Sequence, residues 1–171
     1  MSRTSPWSKL RSARGLRNLA LTGAAASASA GLGAFATAPE TDWYADLDKP
    51  SWQPPPIAFP LVWTPLYADI AVVTAAALTT LEGEGRNDEV AALRRALAVN
   101  LVLNTGWSVL FWRVRRPWLS TAWSAVLTAS SADLARRVRH VDGSLHHVLA
   151  PYPAWCAFAT VLSATLARHN R

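Results

Sequence analysis

The chain has 171 residues and a formal net charge of +6, with 51% hydrophobic and only 16% charged residues, against roughly 25% charged residues in soluble globular domains. So few charges, gathered into short clusters, argue against a water-soluble fold, and the single cysteine, Cys156, excludes a disulfide framework or a CxxC metal site. The basic residues flank apolar runs and show no interleaved aromatic pattern, so no nucleic-acid partner is implied.

The charge clusters are Arg3 to Arg17, Glu40 to Lys49, Glu82 to Arg95, Arg113 to Arg116 and Arg136 to Asp142, with Arg168 and Arg171 at the end. Between them lie five runs of roughly 18 to 25 residues almost free of ionisable groups, the length a helix needs to cross a hydrocarbon core of about 30 Å. The expected fold is therefore all-α, an integral membrane bundle of five transmembrane helices over residues 16–171. Residues 1–15 are expected to form a basic, disordered extension.

The first run, residues 16–38, is mostly Ala, Gly and Ser, residue types that let helices approach closely in a bilayer. Its basic head and the small residues of "ATA" also fit a secretory signal peptide, although the run is long for one. Gly23, Ser27 and Gly31 lie four apart and form one flat face, for a homodimer or for packing within the chain.

Next comes "WYADLDKPSWQPPPIAFPLVW", where Pro50, Pro54, Pro55 and Pro56 keep the backbone out of a helix until about Ile57. The expected form is an extended, stiff loop whose rings can lie against a flat apolar molecule. The second run, 57–81, is apolar all round and lacks the polar stripe that a water-soluble amphipathic helix needs. Within it Asp69 is either a functional carboxylate at membrane depth or an interfacial residue.

The third run, 91–112, carries Asn104, an amide that needs a partner helix or a ligand to satisfy it in an apolar setting. The fourth run is 117–136 and the fifth 148–168. His140, His146 and His147 fall at the intervening loop; without a Cys or carboxylate at ligand spacing, a solvated loop is the simpler reading than a metal or haem site. Trp7, Trp112, Trp118 and Trp123 are read as interfacial or lipid-facing rings. Lys and Arg number 11 on the side of the N-terminus and 6 on the other, which predicts a cytoplasmic N-terminus with the aromatic loop outside.

The stretch "WYADLDKPSWQPPPIAFPLVWTPLY" resembles the signature WYxxLxKPxWxPPxxxFxxVWxxLY of the TspO/MBR family of tryptophan-rich sensory proteins. "NTGWSVLFW" and "APYPAWCAFATVLSATLARHN" are similar to the two further blocks of that family, in order. The resemblance implies the same five helices and a ligand pocket covered by the long first loop. It implies a pocket lined by Trp43, Tyr44, Trp63, Asn104, Trp107, Trp155 and Ala159, with Lys49, Pro50, Trp52, Pro54 and Pro55 in the lid.

The ligand so implied is a porphyrin or haem, with no required cofactor and no metal site. The implied function is a receptor or transporter linked to tetrapyrrole homeostasis and stress signalling. The alternatives are a light- and oxygen-dependent porphyrin-degrading enzyme, with Trp43, Trp63 and Trp155 as its redox-active rings, and a scaffold for partner proteins. Two departures stand out. The run "VLSATLAR" lacks the tyrosine of the cholesterol-recognition pattern, which leans the source towards a bacterial cell membrane, and Ser163 replaces the usual Asn.

Overall fold

The computed structural model describes residues 5–170, so Arg3 and Arg171 of the charge count lie outside the described residues. Eight α-helices follow one another: α1 Pro6–Lys9, α2 Ala13–Ala36, α3 Asp42–Ala45, α4 Ala58–Gly83, α5 Asn87–Val109, α6 Pro117–Val141, α7 Gly143–Leu149 and α8 Pro151–His169. A π-helical turn, Leu110–Val114, continues α5. Among the described residues there are no strands.

The helix ends follow local chemistry. The Ser12 hydroxyl accepts from the Gly15 N–H at 3.0 Å and starts α2. Proline opens α6 and α8, where its missing N–H has no intrahelical partner to lose. Gly85 turns α4 into α5 at φ +70°, a conformation that costs glycine nothing. Pro65 lies inside α4 and offers no N–H to the Leu61 carbonyl.

The five long helices form one bundle, in which α2 lies against α4 and α5, α5 against α6, and α6 along α8. The core holds Ile70, Val73, Leu78, Leu93, Leu97, Leu134, Val138, Leu145 and Tyr152. By length and composition, Ala13–Ala36, Ala58–Gly83 and Gly143–His169 are long and apolar enough to cross a membrane. Helices α5 and α6 match them in length but bury polar groups, Asn100, Asn104, Ser120, Ser124 and Ser131. Asn100, Asn104 and Ser124 are bonded by side chains of neighbouring helices, while Ser120 and Ser131 donate to carbonyls of their own helix.

Short hydroxyl bridges join the helices. Thr22 donates to the Ala71 carbonyl at 2.8 Å and Ser29 to the Leu101 carbonyl at 3.1 Å. Thr160 shares hydrogen bonds with Ser124 and Thr128. Trp123 donates to the Leu103 carbonyl at 2.7 Å, and a Cβ on Gly106 would stand 2.7 Å from its ring. Trp123 is therefore a helix-packing residue, not the lipid-facing ring expected; the close approach needs a glycine beneath it.

Several boundaries differ from the sequence expectation. Residues 5–12, assigned to a disordered extension, form α1 and a turn, with Leu10 packed on the core. The first-loop rings Trp43 and Tyr44 sit on a helical turn, α3, not on extended chain. The expected loop 136–147 is mostly helix, because α6 runs on to Val141 and α7 follows at once. His146 Nδ1 lies 3.3 Å from the Ala135 carbonyl, so the histidine cluster is not simply solvated. Among the described residues no group of three His, Cys, Asp or Glu gathers to hold a metal.

At one end of the bundle Glu82 gathers the charges of three arginines. Arg94 lies at 2.6 Å, Arg17 at 3.1 Å and Arg14 at 3.8 Å, and Asn18 donates to the same carboxylate at 3.2 Å. This ties α2, α4 and α5 together. The rings of Trp43, Tyr44, Phe111 and Trp112 occupy the other end.

Candidate ligand site

Helix α3 and the following segment fold across the end of the bundle formed by the start of α4, the end of α5 and α8. Trp43 packs its edge on Phe111, with ring centroids 5.5 Å apart, and on Trp112 at 6.5 Å. Tyr44 lies 4.8 Å from Trp112 and 6.4 Å from Phe111. Beneath them Trp107 stacks on Phe111 at 5.2 Å with an interplanar angle of 11°. This stack joins residues four apart, which share a helix face.

Both adjacent residues Phe111 and Trp112 are buried here. The π-helical turn, with the Arg115 N–H bonded to the Leu110 carbonyl at 3.1 Å, widens the helix so that both rings turn towards α3. Such turns are frequent at functional sites. Trp112 is thus part of the site and not a belt residue, a correction to the sequence reading. Trp118, 49% exposed, and Trp7, 37% exposed, keep the surface positions expected of them.

A second group of rings adjoins the first. Trp155 stacks on Phe158 at 5.0 Å and meets Phe59 at 6.2 Å, while Trp52 meets Phe158 at 5.9 Å. Phe158 and Phe59 also pack on the cluster of Phe111, Trp112, Leu162 and Leu166. Half-buried Ala159 lies one turn beyond Trp155 on α8.

Trp63 sits deeper, 5.7 Å from Tyr67 and 6.2 Å from Tyr152. The three tryptophans expected to converge, Trp43, Trp63 and Trp155, therefore belong to adjoining groups and do not stack on one another. Asn104 lies below Trp63 in a polar chain. Its Oδ1 accepts from the Tyr67 hydroxyl at 2.9 Å, and its Nδ2 donates to the Tyr152 oxygen at 3.2 Å. Tyr152 in turn donates to Asn100 Oδ1 at 2.7 Å. Asn104 thus bonds α4 and α8 to α5.

Three buried polar atoms at this end have no partner: the indole nitrogens of Trp107 and Trp155 and the Oε1 of Gln53. An unpaired buried donor or acceptor costs about 1 to 3 kcal/mol, so the two indole N–H groups lack an acceptor and the Gln53 oxygen lacks a donor at a cost to stability. Gln53 Nε2 donates to the Tyr44 hydroxyl at 3.0 Å. Burial pushes the Tyr44 phenol above its ordinary pKa, against the pull of the Gln53 hydrogen bond, so this phenol stays neutral at physiological pH.

The covering segment is fastened as well as stiff. Pro50 is buried, and turns bond the Gln53 N–H to the Pro50 carbonyl and the Ala58 N–H to the Pro55 carbonyl, each at 2.9 Å. Pro54 is half-buried and Pro55 exposed. The Lys49 ammonium donates to the Ala45 and Leu47 carbonyls at 3.0 and 3.2 Å and lies 4.6 Å from the Tyr44 ring centroid.

Asn170 at the end of α8 clasps the Asp48 backbone from both sides. Its Oδ1 accepts from the Asp48 N–H at 2.8 Å, and its Nδ2 donates to the Asp48 carbonyl at 3.0 Å. Sequence reasoning matched this asparagine as the last residue of the third block but gave it no role. Asp69, on α4, has no hydrogen-bond or ion-pair partner among the described residues, and nothing brings it to the rings.

At the aromatic end the rings pack on one another. Two cavities, of about 210 and 620 Å³, lie at the Glu82 end, lined respectively by residues such as Leu93 and His140, and Lys9 and Thr79. They share no residue with the aromatic cluster and belong to the charged surface.

Comparison with known proteins agrees with the sequence blocks. The family model of the TspO/MBR family matches residues 20–168. The tryptophan-rich protein TspO of Chlorobaculum tepidum is 31% identical over 137 residues, 80% of this chain and 84% of that protein. The tryptophan-rich sensory protein of Cereibacter sphaeroides is 31% identical, over 75% of this chain and 77% of its own length. The human translocator protein is 33% identical, over 75% of each chain.

Proposed function

The chain belongs to the TspO/MBR family, and from that premise we propose that this integral membrane protein is a receptor or transporter for a planar tetrapyrrole such as protoporphyrin IX or haem. The reading places the ligand among Trp43, Tyr44, Trp107 and Trp155, with residues 46–57 as the lid. The observation that carries it is the pair of buried, unpaired indole N–H donors of Trp107 and Trp155 among stacked rings. Flat apolar walls with a few unspent polar groups are what a planar ligand with peripheral acceptors needs.

The proposal extends to a bacterial cell membrane, to an N-terminus in the cytoplasm and to pairing of two copies. The last has support in α2, where Gly23 and Gly31 face open space and the helix packs inward through Asn18, Thr22, Ala26 and Ser29 instead.

The test is a titration of the purified protein with protoporphyrin IX, followed by tryptophan quenching in the dark and then by absorption under light. Saturable binding that Trp43→Ala weakens and Trp118→Ala leaves unchanged is the expected result. Equal behaviour of both variants would remove the assigned site. Bleaching of the porphyrin that needs light, oxygen and the folded protein would favour the degrading-enzyme reading over a receptor.

A further inference from the structure

Beyond the rings themselves, we propose that Arg115 and Lys49 form a carboxylate-recognising subsite at the rim of the aromatic cluster, so that the site selects planar ligands carrying acidic side chains. This rests on the ligand reading above and adds the feature that discriminates among flat molecules.

The backbone sets the position of the first cation. Arg115 is the one described non-glycine residue at positive φ, 56° with ψ 39°, directly after the π-helical turn. A side chain there is disfavoured and persists where its surroundings hold it, commonly at ligand sites. The consequence is positional: the guanidinium carbon stands 5.5 Å from the Trp43 ring centroid. Lys49 stands over Tyr44, the next residue along α3. Two cations therefore flank the rings of two adjacent residues that both pack on Trp112.

Neither cation is neutralised. Among the described residues no carboxylate pairs with Arg115 or Lys49, and no hydrogen bond occupies the Arg115 guanidinium. The loop carboxylates Glu40, Asp42, Asp46 and Asp48 are all exposed, and Asp48 lies 3.6 Å from His169 instead. The neighbouring arginine is committed elsewhere, since Arg113 donates to the Phe35 carbonyl at 3.0 Å. A guanidinium has five donors in a fork that matches a carboxylate, and all five are unspent here. An anionic side chain on a ligand lying against Trp43 and Tyr44 meets these donors; a neutral ligand of the same shape does not.

The experiment compares protoporphyrin IX, a dicarboxylic acid, with its dimethyl ester, which has the same ring and no charge, in detergent at neutral pH. The parent protein is expected to prefer the acid. Arg115→Gln is expected to weaken binding of the acid about tenfold, as loss of a charge-assisted hydrogen bond would, and to leave the ester unchanged. Arg115→Lys retains most of the preference, and Arg116→Gln, an exposed neighbour without ring contact, retains all of it.

Equal weakening of acid and ester by Arg115→Gln would make Arg115 a packing residue for Trp43 and overturn the subsite. So would a parent protein that binds both equally. If the variant fails to fold, the parent alone decides: raising salt from about 50 to about 500 mM should weaken the acid and not the ester, and the absence of that difference overturns the proposal. A parent that binds neither compound sinks the ligand reading and the subsite with it.

Discussion

Asn104 shows how one side chain serves structure before it serves a ligand. Its amide joins Tyr67 of α4 to Tyr152 of α8 through α5, so Asn104→Leu leaves two buried hydroxyls short of a partner. The expected loss of stability is about 1 to 3 kcal/mol, seen as a lower melting temperature in detergent whether or not ligand is present. A loss of binding with unchanged melting would instead make Asn104 a ligand residue first.

Trp107 behaves in the opposite sense. Trp107→Phe keeps the stack on Phe111 and removes a buried donor that has no partner. The ligand-free protein is then expected to melt no lower than the parent, while porphyrin affinity falls by about 1 kcal/mol. Lower melting with full affinity would show that the indole N–H has no acceptor in the ligand.

At the scale of elements, the covering segment depends on a tie as much as on its prolines. Asn170→Ala removes both hydrogen bonds to the Asp48 backbone and touches no span. Amide exchange across residues 42–56 is expected to speed up while the long helices keep their protection. Unchanged exchange there would leave proline stiffness as the whole explanation.

This is also where legibility ended. The five long helices were visible in hydropathy because each apolar run is bounded by charges, and the rings of the first loop were visible as a motif. Trp112 was misread because a helix apolar on all sides does not reveal which side faces its neighbours, and because one residue's worth of extra turn leaves no mark in composition. The α6 to α7 junction was read as a loop because its Arg and His residues are polar, although they sit on helix surfaces. The third-block asparagine was read as a match without a function because its partner is a backbone, which no sequence pattern displays.

For the whole molecule, the two ends do different work. The Glu82 end is a charge cluster that ties α2, α4 and α5, and the opposite end is a closed set of rings. The proposed orientation in the membrane rests on the Lys and Arg count. A cysteine at exposed Ser51 is expected to react with an impermeant maleimide in intact cells, and one at exposed Ser8 only after lysis. The reverse pattern would invert the topology.

The clasp between Asp48 and Asn170 also fixes an order of events. Its partners are 122 residues apart in the chain, so at about 5 to 20 residues per second the ribosome adds the second roughly 6 to 24 seconds after the first. During that interval α3 and the proline segment exist without their anchor, while α4, α5, α6 and α8 are still being made. The cover is therefore fastened only once α8 is complete, and it closes last over rings that the rest of the chain has already supplied.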